Sequence, residues 1–252
     1  MAGYSSRGPH ARAVQAIAQR VVSGKHPPGA LLDPESLERE LDVSRTVVRE
    51  MLRVLAAKGM VAARPRHGTV VRPRAQWSLL DPDLLRWQAE VHGSDASFLR
   101  QLGEVRAIIE PAGARLAARR RTRADLAQLD GALTAMTDAG MTGEAAVEAD
   151  LRFHRALLVA AHNDLMLPME AVIETGLRAR DRLVHDDTAS TDPIPLHRRL
   201  LEAVRGRDPG QAEAAMRELL AQAERDVRRV TRRLQRAGGE RGHHRGAPAA
   251  SL

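Results

Sequence analysis

Residues 42–55, DVSRTVVREMLRVL, constrain the fold of this chain more than any other stretch. Arg45, Arg49 and Arg53 recur every four residues, with Val48, Met51, Leu52 and Leu55 between them. On a helix this spacing makes one cationic stripe and one apolar stripe. Ser44 stands where an N-cap belongs, and the pattern runs to about Lys58 and stops at Gly59. An apolar stripe of this kind must rest on neighbouring elements, and the flanking sequence offers them.

Upstream, ARAVQAIAQRVVSG (11–24) places Val14, Ile17, Ala18, Val21 and Val22 at helical spacing before Gly24. KHPPGALL reads as a turn. DPESLEREL reads as a short helix with Asp33 as N-cap and Pro34 in its first turn. Downstream, the apolar runs Met60–Ala63 and Thr69–Val71 flank RPRHG, as in a β-hairpin with a basic tip. Residues 10–74 thus predict helix, helix, turn, helix, hairpin, the order of a winged helix-turn-helix. In that motif the second helix of the pair enters the major groove of DNA. Arg45, Thr46 and Arg49 lie in its first turns. Arg66, His67 and Gly68 form the wing tip, where glycine lets the backbone approach closely. Arg53 is placed for a phosphate contact or for plain surface.

Charge supports this placement. The chain carries a formal net charge of +7, and Ser44 to Arg74 hold eight basic residues against one acid, Glu50. That local excess equals the charge of the whole chain, and a basic face favours polyanionic partners. A second cluster, residues 228–245, has seven arginines and one acid, Glu240. A run of this kind is ordinarily a solvated face or tail. The absence of cysteine excludes disulfides and cysteine-ligated zinc. No apolar run is long enough for a transmembrane span, and the N-terminus lacks the apolar core of a secretory signal. A cytoplasmic protein with no membrane partner is the expectation.

From about Asp81 the pattern is helical, and aromatic residues make up only 2% of the chain, which suits packed helices. Helices are expected near 82–92, 95–120, 122–139, 143–162, 163–187, 191–206 and 208–236. Residues 75–94 read as a linker and the first helix of an effector domain, 95–236 as an all-helical ligand-binding and dimerisation domain. The Gly- and Arg-rich segment 237–252 is expected to be disordered.

LDVSRTVVREMLRVLAAKGMVAARPRHGTVV resembles the DNA-binding domain of GntR-type bacterial transcription regulators. EVRAIIEPAGARLAARR (104–120), EADLRFHRALLVAAHND (148–164) and LHRRLLEAV (196–204) resemble the FCD effector domain of its FadR-like branch. AQWSLLDPDLLRW (75–87) is similar to the galactonate-operon-repressor-like, sugar-acid-responsive group within it. The resemblance implies a mainly α protein, an N-terminal winged helix-turn-helix joined to an all-α FCD bundle. It also implies operator contacts from Arg45, Thr46, Arg49, His67 and Gly68. One departure is Glu35, where many relatives carry a basic residue that touches DNA, with Pro34 beside it in place of Glu.

Asp150 and His154 stand four residues apart on one helix, and His197 lies on a later one. One carboxylate and two imidazoles converging in a helical bundle is divalent-metal ligand chemistry, zinc first. The resemblance implies Asp and three His ligands, the third His falling at position 219, which here is Leu219. Three readings stay open: a metal completed by water or effector oxygens, a buried Asp–His ion pair without metal, and direct binding of the effector. By the resemblance Arg106 faces the pocket, where a guanidinium would bind a small carboxylate; the alternative is an intrahelical pair with Glu110. Asn163 is a candidate for the pocket or for a helix cap.

These features predict a ligand-responsive transcriptional repressor of a sugar-acid catabolic operon. It would bind operator DNA as a homodimer, since two recognition helices read a pseudo-palindrome. The alternatives are a metal-dependent enzyme acting on a small organic acid through Asp150, His154 and His197, and a non-specific nucleoid protein.

Overall fold

The computed structural model of the protein describes residues 8–64, 67–140, 143–184 and 191–243. The chain divides into two compact units, Met1–Gly93 and Ser94–Leu252.

The first unit contains α1 (Pro9–Val22), β1 (Leu31–Leu32), α2 (Pro34–Leu41), α3 (Arg45–Ala57), β2 (Val61–Arg64), β3 (Gly68–Val71) and α4 (Pro82–His92). Both short helices of the pair start where the sequence predicts. The Asp33 carboxylate accepts from the Ser36 backbone N–H at 2.9 Å, and the Ser44 hydroxyl accepts from that of Val47 at 3.4 Å. The connection between them is tight because Asp42 takes a left-handed conformation, φ 52°. Val48, Met51, Leu52 and Leu55 are buried in one core with Val14, Ile17, Val21 and Leu37. The predicted apolar stripe therefore anchors α3 and leaves the arginine stripe outside.

The wing is a three-stranded antiparallel sheet of order β1-β3-β2, not a lone hairpin. Leu31 and Leu32, read as part of a turn, pair with Val70 and Thr69. A two-residue strand has too few residues to show a period of two, so the signal was absent. Gly68 sits at φ 78°, and a Cβ there would stand 3.0 Å from the Leu31 side chain. The wing thus needs glycine for its own geometry.

Helix α4 packs against α1, with Trp87 and Leu84 in the core of the first unit. The sequence reading attached this helix to the effector domain. Lys58 explains the difference: its ammonium reaches Asp81 and Asp83, each at 2.8 Å, and lies 5.6 Å over the Trp87 ring. Burial alone would lower the Lys58 pKa, but the two carboxylates outweigh it and raise it.

The second unit is helical: α5 (Ala96–Arg120), α6 (Arg123–Ala139), α7 (Glu144–Ala160), α8 (Glu170–Val184), α9 (Ile194–Arg205) and α10 (Pro209–His243). Its core joins Leu129, Leu133, Phe153, Leu157, Leu200, Leu201, Met216 and Leu219. Thr122 and Asp125 form a capping box at the start of α6, and Asp208 caps α10. Two expectations are corrected. The helix foreseen over 163–187 begins only at Glu170, because His162 turns left-handed, φ 46°, and a 3-10 turn at Leu167–Met169 follows. Helix α10 continues to His243 through residues expected to be disordered from 237. Extending an existing helix adds one hydrogen bond per residue, so it can outrun a Gly pair that would never start one. The remainder of that tail, 244–252, lies outside the described residues.

Candidate functional site

Two sets of residues carry chemistry, one in each unit. On α3, Arg45, Thr46 and Arg49 are exposed in the first two turns. The Arg45 side chain is 72% exposed, and its nearest carboxylate, Glu38, is 4.0 Å away. Arg49 has no ion-pair or hydrogen-bond partner among the described residues. Arg53 is held by Glu50 at 2.7 Å, which suits plain surface. At the wing, His67 and Gly68 are exposed and the His67 N–H donates to the Arg64 carbonyl, closing the turn. Arg66 lies outside the described residues. Glu35, in the first turn of α2, is also exposed. Lys58, counted in the local charge excess, is committed to Asp81 and Asp83 and so adds little to the outer field.

In the second unit the helical period brings residues from separate helices to one cavity. Arg106 and Glu110 are one turn apart on α5, Asp150 and His154 one turn apart on α7, and His197 comes from α9. Arg106, Asp150, His154, His197 and Leu219 all line the cavity. The Asp150, His154 and His197 ligand atoms lie within 4.8 Å of one another. Asp150 Oδ1 is 3.2 Å from His154 Nε2 and 3.1 Å from His197 Nε2. The far side of each ring is also held. His197 Nδ1 stands 2.9 Å from the Pro193 carbonyl. His154 Nδ1 approaches Glu110 Oε2 to 2.5 Å, an ion-pair contact off the line of a regular hydrogen bond. Glu110 Oε1 in turn accepts from Arg106 Nε at 2.5 Å. Phe153 packs edge-on against the His197 ring at 4.9 Å.

Electrostatics follow from this chain of contacts. Burial alone would raise the Glu110 carboxyl, but Arg106 and then His154 outweigh it and hold its pKa at about 2. Burial would lower His154, yet Glu110 and Asp150 push it up to about 9. Asp150 is also driven well below the carboxylate range, its two imidazole partners overcoming burial.

The sequence-derived set is thus partly gathered. Arg106, Asp150, His154 and His197 meet, and Leu219 stands at the same cavity in the place expected for a further histidine. Asn163 is not among the lining residues; its side-chain oxygen accepts from the Leu165 N–H at 3.2 Å, a local turn after α7. Arg106 pairs with Glu110 and also lines the cavity. Two residues were missed. Glu110 was read only as a partner for Arg106, although its position one turn on from a pocket arginine was a usable signal. Arg180, on α8, also lines the cavity; nothing sets it apart from its neighbours in GLRARDR.

A winged helix-turn-helix followed by a helical unit with a small cavity lined by Arg106, Asp150, His154 and His197 defines a DNA-binding regulator that senses a small molecule. Residues 9–71 match the family described as bacterial regulatory proteins, gntR family, and residues 101–222 match the FCD domain. The chain belongs to the GntR family of transcription regulators, in the branch that carries an FCD domain. The galactonate operon transcriptional repressor of Escherichia coli is 34% identical over 223 residues, 87% of this chain and 97% of that protein. The transcriptional regulator LutR of Bacillus subtilis is 32% identical over 206 residues, 78% of this chain and 90% of that protein. Two solved structures share the fold. Escherichia coli McbR/YncC has a TM-score of 0.52 at 17% identity, covering 88% of this chain and 98% of its own. Lar, which controls the Listeria monocytogenes agr system, has a TM-score of 0.55 at 19% identity, covering 90% and 99%. The family and these relatives favour the regulatory reading over the enzyme alternative.

Proposed function

We propose that the protein represses a sugar-acid catabolic operon and is released from its operator when a small carboxylate binds the cavity of the second unit. The observation that carries this reading is the convergence of Arg106, Asp150, His154 and His197 on one cavity. Its likeness to a galactonate operon repressor supports the sugar-acid class. Arg45, Thr46 and Arg49 would read and grip the major groove of the operator, with Arg66, His67 and Gly68 contacting it from the wing. Arginine suits this role because its planar fork pairs bidentately with guanine or phosphate. The operator-bound form would be a homodimer matching a pseudo-palindrome. An effector releases DNA only if it binds the non-operator conformation more tightly.

The residues at Asp150 fit a divalent cation, zinc first. Each histidine has its Nδ1 occupied by a carboxylate or carbonyl and its Nε2 facing Asp150, the arrangement that orients imidazole for a metal. When bound, the ion would supply a Lewis-acidic coordination position for effector oxygens. With Leu219 in place of a fourth ligand, the protein would contribute three. A metal-free ion-pair network is the second reading, favoured by the 3.1 and 3.2 Å contacts of Asp150 with the two rings.

The test is thermal melting of the purified protein against a panel of aldonates and other small carboxylates, each with zinc and with a chelator. A selective rise for one acid is expected, since a ligand that binds only the native state stabilises it. Loss of that rise in chelator assigns the metal; its persistence favours the metal-free network. No rise for any acid overturns the sugar-acid reading. Arg49→Ala should abolish discrimination of operator from other DNA and keep the effector-induced rise, while Arg106→Ala should do the reverse. Loss of both properties in both variants would contradict the division of labour.

A further inference from the structure

Arg180 stands at the neck between two cavities of the second unit. The inner one holds Asp150, His154 and His197. The outer one is a larger groove formed by α5, α8 and α10, and Arg106, Arg180, Leu220 and Ala223 line both. The Arg180 guanidinium is anchored from one side: Nη2 lies 3.3 Å from Asp226 Oδ2, and Asp226, 1% exposed, also holds Arg229 at 2.9 Å. Its Nε–H is buried and has no acceptor among the described residues. A buried donor in that state is rare and calls for an acceptor. One turn earlier on the same helix, a Cβ at Gly176 would stand 2.9 Å from Arg106 Cδ and 3.3 Å from its Nη1. Helix α8 therefore does two things on one face: it leaves space for Arg106 and it supplies Arg180.

Arg106 is paired with Glu110, and Arg180 shares the carboxylate of Asp226 with Arg229. The outer groove adds Arg100, Arg217, Arg228 and Arg232, the first three paired with Glu104, Glu213 and Glu224.

We infer that Arg180 is an effector-binding residue, a second guanidinium that takes the effector's carboxylate together with Arg106 where the outer groove, about 690 Å³, meets the inner cavity, about 10 Å³. This rests on the effector site proposed above. The acid then enters from the arginine-lined groove, carboxylate at the neck.

The test is calorimetric titration with galactonate, gluconate and lactate of the wild type, Arg180→Gln, Arg180→Lys and Asp226→Asn. With an acid that binds the wild type, Arg180→Gln should weaken affinity by about tenfold or more, as for loss of a charge-assisted hydrogen bond. Arg180→Lys, which keeps the charge and loses the fork, should fall between. Asp226→Asn removes the competing carboxylate and should hold or tighten affinity. Operator binding in the absence of acid reports whether each variant is folded. Equal affinity in the wild type and Arg180→Gln overturns the assignment. So does equal loss in Arg180→Gln and Asp226→Asn, which would make Arg180 a latch on Asp226 only. If none of the acids binds the wild type, the effector reading itself fails and this assignment falls with it.

Discussion

Glu110 connects the charges of the candidate effector site, although it was visible in the sequence only as a neighbour of Arg106. It is 1% exposed and lies between Arg106 and His154. Its pKa in the folded protein, about 2, is below the ordinary value of 4.5. Its contribution to stability is therefore fully present above about pH 4.5 and is lost as the pH falls toward 2. Glu110→Gln should lower the melting temperature at pH 7 and flatten its dependence on pH between 4.5 and 2, measured by circular dichroism against the wild type. Removing one member of a buried charged set leaves the others uncompensated, so a cost of several kcal/mol, about 3–5, is expected. Leu219 offers the opposite experiment. It lines the cavity beside Asp150, His154 and His197, and Leu219→His would place a fourth ligand there. Zinc affinity should rise by about tenfold or more, as four protein ligands close a tetrahedral site. Unchanged affinity by competition with a chromophoric chelator would mean that these side chains do not converge on a metal.

At the scale of the element, the regular helices declared themselves and the short or broken ones did not. Ser44, Asp33, Thr122 and Asp208 each cap the helix that their position promised. Capping depends on four consecutive residues, so it is written locally. Ser44→Ala should cost about 1 kcal/mol in a denaturant melt of the first unit's transition. It should also weaken operator binding, because the same turn carries Arg45 and Thr46. An unchanged midpoint would mean that the 3.4 Å bond to Val47 contributes nothing. Strand β1 and the late start of α8 at Glu170 escaped detection for physical reasons. A two-residue strand exists only because β3 pairs with it, and a left-handed histidine is a choice made by packing around residues 161–169.

At the scale of the whole molecule, the net charge of +7 equals the excess over Ser44–Arg74, yet part of it is neutralised inside the first unit by the Lys58 pairs. Binding to arbitrary duplex should fall steeply as salt is raised. Replacing an arginine that meets phosphate should reduce the slope of log affinity against log salt by about 1, while replacing one that reads a base should leave the slope nearly intact and relax sequence preference. Arg45→Ala and Arg49→Ala compared in this way assign each its role; a slope indifferent to both would remove α3 from the DNA. Sequence alone determined the two-unit plan, the winged helix-turn-helix order, the arginine face of α3, and Asp150, His154, His197 and Arg106 as candidates. The helix order, the arginine face and the Asp150–His154 pair rest on spacing within one element or on local capping, and spacing survives folding unchanged; Arg106 was singled out by the family resemblance, and His197 lies on a separate helix. Only the tertiary structure decided that α4 belongs with the first unit and that Glu110 joins Arg106 to His154. It alone placed Arg180 at the neck with an unmatched N–H and Asn163 in a turn away from the cavity. Those facts depend on which helix faces meet, and residues far apart in the chain are brought together by packing rather than by anything written at either position.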